Sequence, residues 1–296
     1  MKYLEKYGYK PDEAAIAAAL ESISAQVDAL STRENLLTCF SLMDLTTLNG
    51  SDTKESVQKL VGKVNDLAVR YPGYPLPASV CVYPNFAPVV AAARADATLH
   101  VTTVAGCFPA SQSFQEVKVL ESRLAVRNGA DEVDIVLSLG DFLGGDEQAA
   151  FDEIAAIRSA VDEEAAAQGR SAVLKVILET GVLVSPEKIA EASLLAMEAG
   201  ADFIKTSTGK VSVNATPAAA YVMCEAIRAF NEATGRKVGF KAAGGISNAK
   251  DAMSYYLIVS TVLGSAWLDK QLFRLGVSRL GNSLMSAIEK ETVTYF

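Results

Sequence analysis

The sequence predicts an α/β fold, a (β/α)8 barrel of the TIM type preceded by an additional N-terminal helical segment. Eight short apolar runs rich in β-branched residues recur along the chain, with starts about 21 to 40 residues apart, the length of one strand–helix unit. Segments with helical spacing separate the runs, and helices between strands require parallel pairing. Eight such units favour a closed barrel over an open doubly wound sheet. The predicted strands are residues 38–42, 78–83, 99–104, 132–137, 172–178, 203–206, 238–241 and 272–275.

Helix-start signals support the segments between these strands. Residues 51–55 combine capping side chains with an early acid, and Ser185 and Thr216 each precede a proline at a first helical position. A further helix is predicted over residues 11–30. We therefore expect an N-terminal helical extension over residues 1–35 and a catalytic barrel over residues 36–296. The extension caps the barrel bottom or contacts a second subunit, and the sequence leaves both open.

Composition excludes several classes of function. The chain has 296 residues, half of them apolar, and a net charge of −8, which argues against disorder, nucleic-acid binding and an anionic membrane surface. A single histidine, His100, excludes a metal site built on several histidines, and we expect no metal and no other cofactor. The four cysteines are far apart and no apolar stretch approaches the ~20 residues of a membrane span, so a cytoplasmic protein is expected.

Lysines or aspartates lie within four of the apolar runs and just after a fifth. Lysines and carboxylates are almost never buried without partners, so several of them within strands need an explanation. Because the carboxyl ends of barrel strands meet at one mouth, we expect these side chains to converge on an active site. They are Asp44, Asp134, Lys175, Lys205 and Lys241.

Close lysines without a histidine set or a metal suit one kind of chemistry. A desolvated lysine beside another cation loses its proton more easily and becomes a nucleophile that forms a Schiff base with a carbonyl. A carboxylate such as Asp134 then relays protons. Aldol cleavage and condensation fit this set of residues.

Glycine-bearing segments follow the last three predicted strands, at residues 206–210, 244–245 and 276–279. Exposed backbone N–H groups and a helix N-terminus after the late strands form the usual phosphate site of a barrel. Lys210 or Arg279 adds a charged donor. These loops favour a phosphorylated carbonyl substrate.

Six motifs, in order along most of the chain, resemble the 2-deoxy-D-ribose-5-phosphate aldolase family. The segment around Lys205 is the most specific of them. The motifs are CFSLMDLTTLN (39–49), VCVYP (80–84), NGADEVD (128–134), LKVILETG (174–181), GADFIKTSTGK (200–210) and GFKAAGGI (239–246).

The resemblance implies a role for each matching residue. Lys205 is implied to form the Schiff base, Lys241 to depress its pKa, and Asp134 to carry protons through a water. Supporting positions are Asp44, Lys175, Cys81 and Thr206, and the phosphate set is Gly209, Lys210, Gly244, Gly245 and Ser278. Arg279 stands where the family pattern has a second serine, so it either holds phosphate or points away. Tyr295 is a candidate tail residue that reaches the site.

The implied activity is a class I, metal-independent aldolase that reversibly cleaves 2-deoxy-D-ribose 5-phosphate to D-glyceraldehyde 3-phosphate and acetaldehyde. Its partners are these small molecules and other copies of the chain, as a homodimer or other homo-oligomer. Two alternatives stay open: a Schiff-base aldolase or transaldolase acting on another phosphosugar, and a phosphosugar-binding module without turnover. A binding module has no need for Lys205 and Lys241 together, which favours the enzyme.

Overall fold

The computed structural model describes residues 1–296 and contains eight strands that close into one parallel barrel. Each strand pairs with its neighbours in the chain, and the last pairs with the first. The predicted (β/α)8 barrel is therefore confirmed. The strands are β1 (Met43–Thr46), β2 (Ser79–Val82), β3 (His100–Val104), β4 (Glu132–Val136), β5 (Val173–Ile177), β6 (Phe203–Lys205), β7 (Gly239–Ala243) and β8 (Phe273–Val277).

Thirteen α-helices surround the barrel, precede it or follow its strands. Short 3₁₀ turns at Pro84–Phe86 and Ser265–Trp267 complete the connections. The helices are α1 (Lys2–Tyr7), α2 (Glu13–Leu30), α3 (Arg33–Ser41), α4 (Lys54–Arg70), α5 (Ala87–Ala93), α6 (Gln115–Arg127), α7 (Leu139–Gly144), α8 (Glu147–Ala167), α9 (Thr180–Leu183), α10 (Pro186–Glu198), α11 (Pro217–Thr234), α12 (Ala249–Leu263) and α13 (Leu280–Glu289).

The predicted helix starts have clear local causes. At the start of α4, Thr53 accepts from the backbone N–H of Ser56 while the Ser56 hydroxyl accepts from that of Thr53, a reciprocal capping box. Ser185 and Thr216 are the N-cap residues of α10 and α11, where each hydroxyl accepts from one backbone N–H and each residue is followed by proline. These caps satisfy backbone donors that a helix start otherwise leaves without partners.

The first predicted strand is wrong. Residues 38–42 belong to the end of α3 and its cap, and β1 begins only at Met43. Thr32 caps this helix, and the buried residues Leu36, Cys39 and Phe40 have the three- and four-residue spacing of a helix face. The apolar stretch that begins in this helix continues past its cap into β1, which follows at once. The domain division expected at residue 35 falls inside α3.

The N-terminal segment packs on the flank of the barrel. The predicted helix at residues 11–30 is confirmed as α2, which contacts α11 and α12. The preceding α1 contacts α10, where the carboxylate of Glu191 accepts from the backbone N–H groups of Tyr3 and Leu4. The segment therefore does not cap the barrel bottom. None of the helices has the length and apolarity needed to cross a membrane.

The strands present different chemistry on their two faces. Val133, Ile135 and Leu174 alternate with charged residues and are fully buried. Between them, Glu132, Asp134 and Lys175 are also fully buried, and ion pairs join them. Since alternate side chains point to opposite faces of a strand, the charged set occupies the barrel interior, where apolar residues are usual.

Candidate active site

The carboxylate of Asp134 lies at the centre of the barrel interior and accepts hydrogen bonds from three lysines. Lys175 Nζ donates to Asp134 Oδ1 at 2.8 Å, and Lys205 Nζ and Lys241 Nζ each donate to Oδ2 at 2.8 Å. Strand register explains the convergence, because Asp134 pairs with Lys175 and Lys205 pairs with Lys241 on neighbouring strands. Asp44 joins the group through Lys241 at 2.5 Å. The structure thus brings together all five charged residues singled out in the sequence.

Burial and charge oppose each other at these groups. Burial lowers the pKa of Lys205 most, and the ammonium of Lys241 lowers it further, so this pKa lies below its ordinary value despite the opposing effect of Asp134. For Lys241, burial acts in the same direction, but Asp134 and Asp44 outweigh it and raise the pKa of this lysine. Burial also works against the charged form of Asp134, yet the three lysines hold its pKa well below the usual range. Lys205 is therefore the lysine favoured to lose its proton.

A cavity of about 210 Å³ opens above this cluster, and Lys205 is the only one of the five charged residues that lines it. Lys205 is 4% exposed, whereas Lys175 and Lys241 are fully buried. The remaining walls come from the ends of β1, β7 and β8 and from the loops after β1, β6, β7 and β8. Among the predicted phosphate residues, the cavity is lined by Gly209, Lys210, Gly244, Gly245 and Ser278.

Three glycines from the loops after β6 and β7 line part of this concave cavity. Gly209, Gly244 and Gly245 all have φ near +80°, a left-handed conformation that favours glycine. Their N–H groups donate to no group of the protein. At Gly244 a Cβ atom would lie 2.7 Å from the Asn214 side chain, so the backbone also needs the small residue there. Such a concavity of free N–H groups binds anions.

The loop that carries Gly209 is held by a residue that the sequence analysis missed. Glu179 is buried and accepts from the Thr208 backbone N–H at 3.1 Å and from the Thr208 hydroxyl at 2.6 Å. It has a positive φ of 55°, which is uncommon for a residue other than glycine. Lys210 Nζ donates across the mouth to the carbonyl of Leu48 at 2.6 Å.

Several other predicted residues lie near the site in different roles. Thr206 joins β6 to β7, because its hydroxyl donates to the carbonyl of Ala243 and accepts from the N–H of the same residue. Cys81 is fully buried on β2, where burial raises the pKa of its thiol. Neither residue lines the cavity.

Two further predicted residues, Arg279 and Tyr295, also lie outside the cavity. Arg279 lines a neighbouring cavity of about 410 Å³ that shares Ser278, and its guanidinium forms no ion pair. The Tyr295 hydroxyl donates to the Lys63 carbonyl at 2.5 Å, and its ring packs against Tyr71. Asn282 holds the last two residues through their backbone N–H groups, which keeps the Tyr295 side chain away from Lys205.

Glu132 and Arg274 are further members of the ion-pair cluster that the sequence analysis missed. Glu132 accepts from Lys175 at 2.5 Å, and Arg274 donates to Glu132 and to Asp44. His100, at the start of β3, contacts Glu132 at 2.6 Å. Alternation was the available signal for Glu132, since it stands two residues before Asp134 on the same strand and so faces the same side.

A closed parallel barrel with amines and carboxylates buried beneath the carboxyl ends of its strands has its chemistry at the strand ends, as barrel enzymes do. Residues 38–260 match the model of the DeoC/LacD family aldolases. The chain is 41% identical over 271 residues to a "Putative deoxyribose-phosphate aldolase" of Caenorhabditis elegans, covering 91% of this chain and 86% of that protein. It is 42% identical over 267 residues to the "Deoxyribose-phosphate aldolase" of Homo sapiens, covering 86% and 80% respectively.

Solved structures show the same fold. The tetrameric deoxyribose phosphate aldolase of Aeropyrum pernix superposes with a TM-score of 0.67 at 25% identity, covering 93% of this chain and 98% of that one. A putative deoxyribose-phosphate aldolase of Toxoplasma gondii superposes with a TM-score of 0.72 at 23% identity, covering 87% and 98%. The protein is therefore an enzyme of the lyase class. It belongs to the DeoC/LacD family of aldolases.

We predict that Gly276→Ala lowers aldolase activity at least tenfold while the barrel stays folded. A Cβ atom at Gly276 would lie 2.8 Å from the Ala243 Cβ, so β7 or β8 has to move beside Lys241, whose Cε would also be only 3.0 Å away. Displacements of about 1 Å near a reacting centre cost up to about 100-fold. Initial rates and circular dichroism check this. Gly62→Ala, in an open helical position, is the matched control. Equal rates for both variants would contradict the prediction.

Proposed function

We propose that the protein is a class I aldolase that reversibly cleaves 2-deoxy-D-ribose 5-phosphate to D-glyceraldehyde 3-phosphate and acetaldehyde through a Schiff base on Lys205. The observation that carries the proposal is the position of Lys205. It is buried, it reaches the cavity, and burial together with the Lys241 ammonium holds its pKa below the ordinary value. The names of the relatives in Caenorhabditis elegans and Homo sapiens support the choice of substrate.

The proposed reaction begins with addition of the neutral Lys205 amine to C1 of the open-chain aldehyde. The carbinolamine loses water to give an iminium, and the C3 hydroxyl then loses its proton. The C2–C3 bond breaks with its electrons moving into the iminium, which leaves glyceraldehyde 3-phosphate and an enamine. Protonation of the enamine at C2 and hydrolysis release acetaldehyde and restore the amine.

Asp134 is assigned to the proton transfers. Its Oδ2 atom accepts from both Lys205 and Lys241, so a proton can pass between the two amines through this carboxylate or a water beside it. Two further ion pairs support the arrangement: Lys175 pairs with Asp134, and Asp44 pairs with Lys241.

The phosphate group is assigned to the glycine concavity. The free N–H groups of Gly209, Gly244 and Gly245 point to an anion site that needs no net positive charge on the protein. Ser278 and Lys210 line the same cavity and add a hydroxyl and an ammonium.

The four cysteines are free thiols, which supports a reducing compartment such as the cytoplasm.

Acetaldehyde and borohydride should leave a reduced ethyl adduct on Lys205 and on no other lysine of the cluster, because it is the one that combines access with a lowered pKa. Peptide mapping by mass spectrometry separates this adduct from any on exposed surface lysines, and the reaction contains EDTA because the proposed steps need no metal ion. Lys205→Arg keeps the charge and should give no adduct at this position. An adduct on Lys175 or Lys241 would refute the proposal. So would a Lys205 adduct that forms only when a metal ion is added.

Replacing Lys241 by leucine is expected to shift the rise of kcat/KM to higher pH. The active form of Lys205 is the neutral amine, and loss of the Lys241 cation raises the Lys205 pKa, so less amine is present at neutral pH. Full pH–rate profiles measure the shift. Lys250→Leu, at an exposed lysine paired with Asp28, is the control and should keep the profile of the unmodified enzyme. A Lys241→Leu profile with an unmoved rise would contradict the assigned role.

We also propose that the chain forms a homodimer or other homo-oligomer through one face of α6. Four apolar side chains on or next to this helix are exposed, which is costly for a protein that stays monomeric: Phe114, Val117, Leu120 and Leu124. The Aeropyrum pernix relative is a tetramer.

Light scattering should give an oligomer for the unmodified chain and a lower mass for Leu120→Glu, since a charge in an apolar interface remains unpaired. Val69→Glu, at an exposed apolar residue of α4, is the control and should keep the oligomer. A monomeric unmodified chain would contradict oligomer formation, and an unaffected Leu120→Glu variant would contradict the choice of α6.

A further inference from the structure

The ion-pair cluster extends well below the residues assigned to chemistry. Arg274 lies between two carboxylates, with Nη2 at 2.7 Å from Glu132 Oε1 and Nη1 at 2.6 Å from Asp44 Oδ1. The other oxygen of Glu132 is 2.5 Å from Lys175 Nζ. Through Lys175 and Asp44 this lower layer connects to Asp134 and so to the reacting amine. Neither Glu132 nor Arg274 lines the cavity.

The charges of the cluster do not balance when every member is ionised. Four cations face three carboxylates, which leaves one surplus positive charge among side chains that are at most 4% exposed: Lys175, Lys205, Lys241 and Arg274 against Asp44, Glu132 and Asp134. A surplus charge in the protein interior is costly, and release of one proton removes it.

The ion-pair geometry selects the member that releases this proton. Lys205 contacts one carboxylate, that of Asp134. Lys241 contacts Asp44 and Asp134, Lys175 contacts Glu132 and Asp134, and Arg274 contacts Asp44 and Glu132. Loss of the Lys205 proton therefore breaks the fewest ion pairs and leaves the cluster neutral.

We propose that Glu132 and Arg274 are positioning residues that set the protonation state of Lys205 through the charge balance of the whole cluster. This inference rests on the proposed Schiff-base function. Without the Arg274 charge, three cations face three carboxylates, so the ammonium form of Lys205 is retained. Without the Glu132 charge, the positive surplus grows and Lys205 loses its proton more readily. The two residues thus act in opposite directions although they contact each other.

Every strand of the barrel contributes a titratable group to the cluster or next to it. The charged members come from β1, β4, β5, β6, β7 and β8, and the buried thiol of Cys81 comes from β2. On β3, His100 contacts Glu132 through Nδ1, and its side chain is 27% exposed. Asp131, next to Glu132, is paired with Arg94 and Arg170. Besides Lys205 at the cavity, His100 is thus a second point at which the cluster reaches solvent.

The test is the pH dependence of kcat/KM for Arg274→Met and Glu132→Gln. We expect the acid limb of Arg274→Met to move to higher pH by about one unit, which is a loss of about tenfold on that limb with recovery at alkaline pH. The limb of Glu132→Gln should move to lower pH, and Arg274→Lys should restore the unmodified profile. Damage to the fold alone lowers the rate at all pH values, so limbs that stay in place or move in the same direction overturn the inference.

His100 gives a second test that does not place a cavity or an unpaired charge in the core. His100→Arg adds a permanent cation beside Glu132, and its acid limb should lie at lower pH than that of the uncharged control His100→Gln. Superimposable limbs for these two variants overturn the inference. Borohydride trapping on the unmodified enzyme keeps the two proposals apart: no Lys205 adduct contradicts the proposed function, whereas a normal adduct with unmoved limbs contradicts the charge-balance role alone.

Discussion

The carboxylate of Asp134 is the contact on which the rest of the barrel interior depends. It accepts from three buried ammonium groups at 2.8 Å, and for one of them, that of Lys205, it is the only carboxylate partner. Buried ion pairs contribute little net stability, and removing one partner is strongly destabilising. The proposed reaction therefore explains the ion-pair cluster better than a contribution to stability does. It keeps the Lys205 amine buried beside the Lys241 cation, which lowers the pKa of Lys205 and suits the proposed Schiff-base reaction.

Binding and reaction are divided between loops and strands. The charged side chains stand on strands whose pairing holds them in place, as with Lys205 opposite Lys241. The proposed phosphate site uses backbone N–H groups of loop glycines and so works in a chain with a net charge of −8. Glu179 connects the two parts, because it follows β5 and holds the loop after β6 through Thr208.

The sequence was sufficient to predict the barrel and the five charged residues at the centre of the site. A lysine or aspartate inside an apolar, β-branched run has few structural explanations, and Asp44, Asp134, Lys175, Lys205 and Lys241 all meet in the structure. Other features depend on information that a linear pattern lacks. The run around Cys39 contains a helix and a strand in succession, so apolarity alone misplaced the first strand. The place of Arg274 depends on the register of β8, and those of Arg279 and Tyr295 depend on how loops pack.

The cluster also limits how this enzyme can diverge under selection. Each charged side chain of the strands pairs with at least one other, so a single replacement removes an ion-pair partner and changes the charge balance of the interior, and we expect changes at these positions to be coupled. The cavity walls from the loop after β1 are free of that constraint, and Thr47 and Asn49 line the cavity without joining the ion pairs. Directed libraries for new acceptor aldehydes therefore have more viable members in that loop than in the strands beneath it.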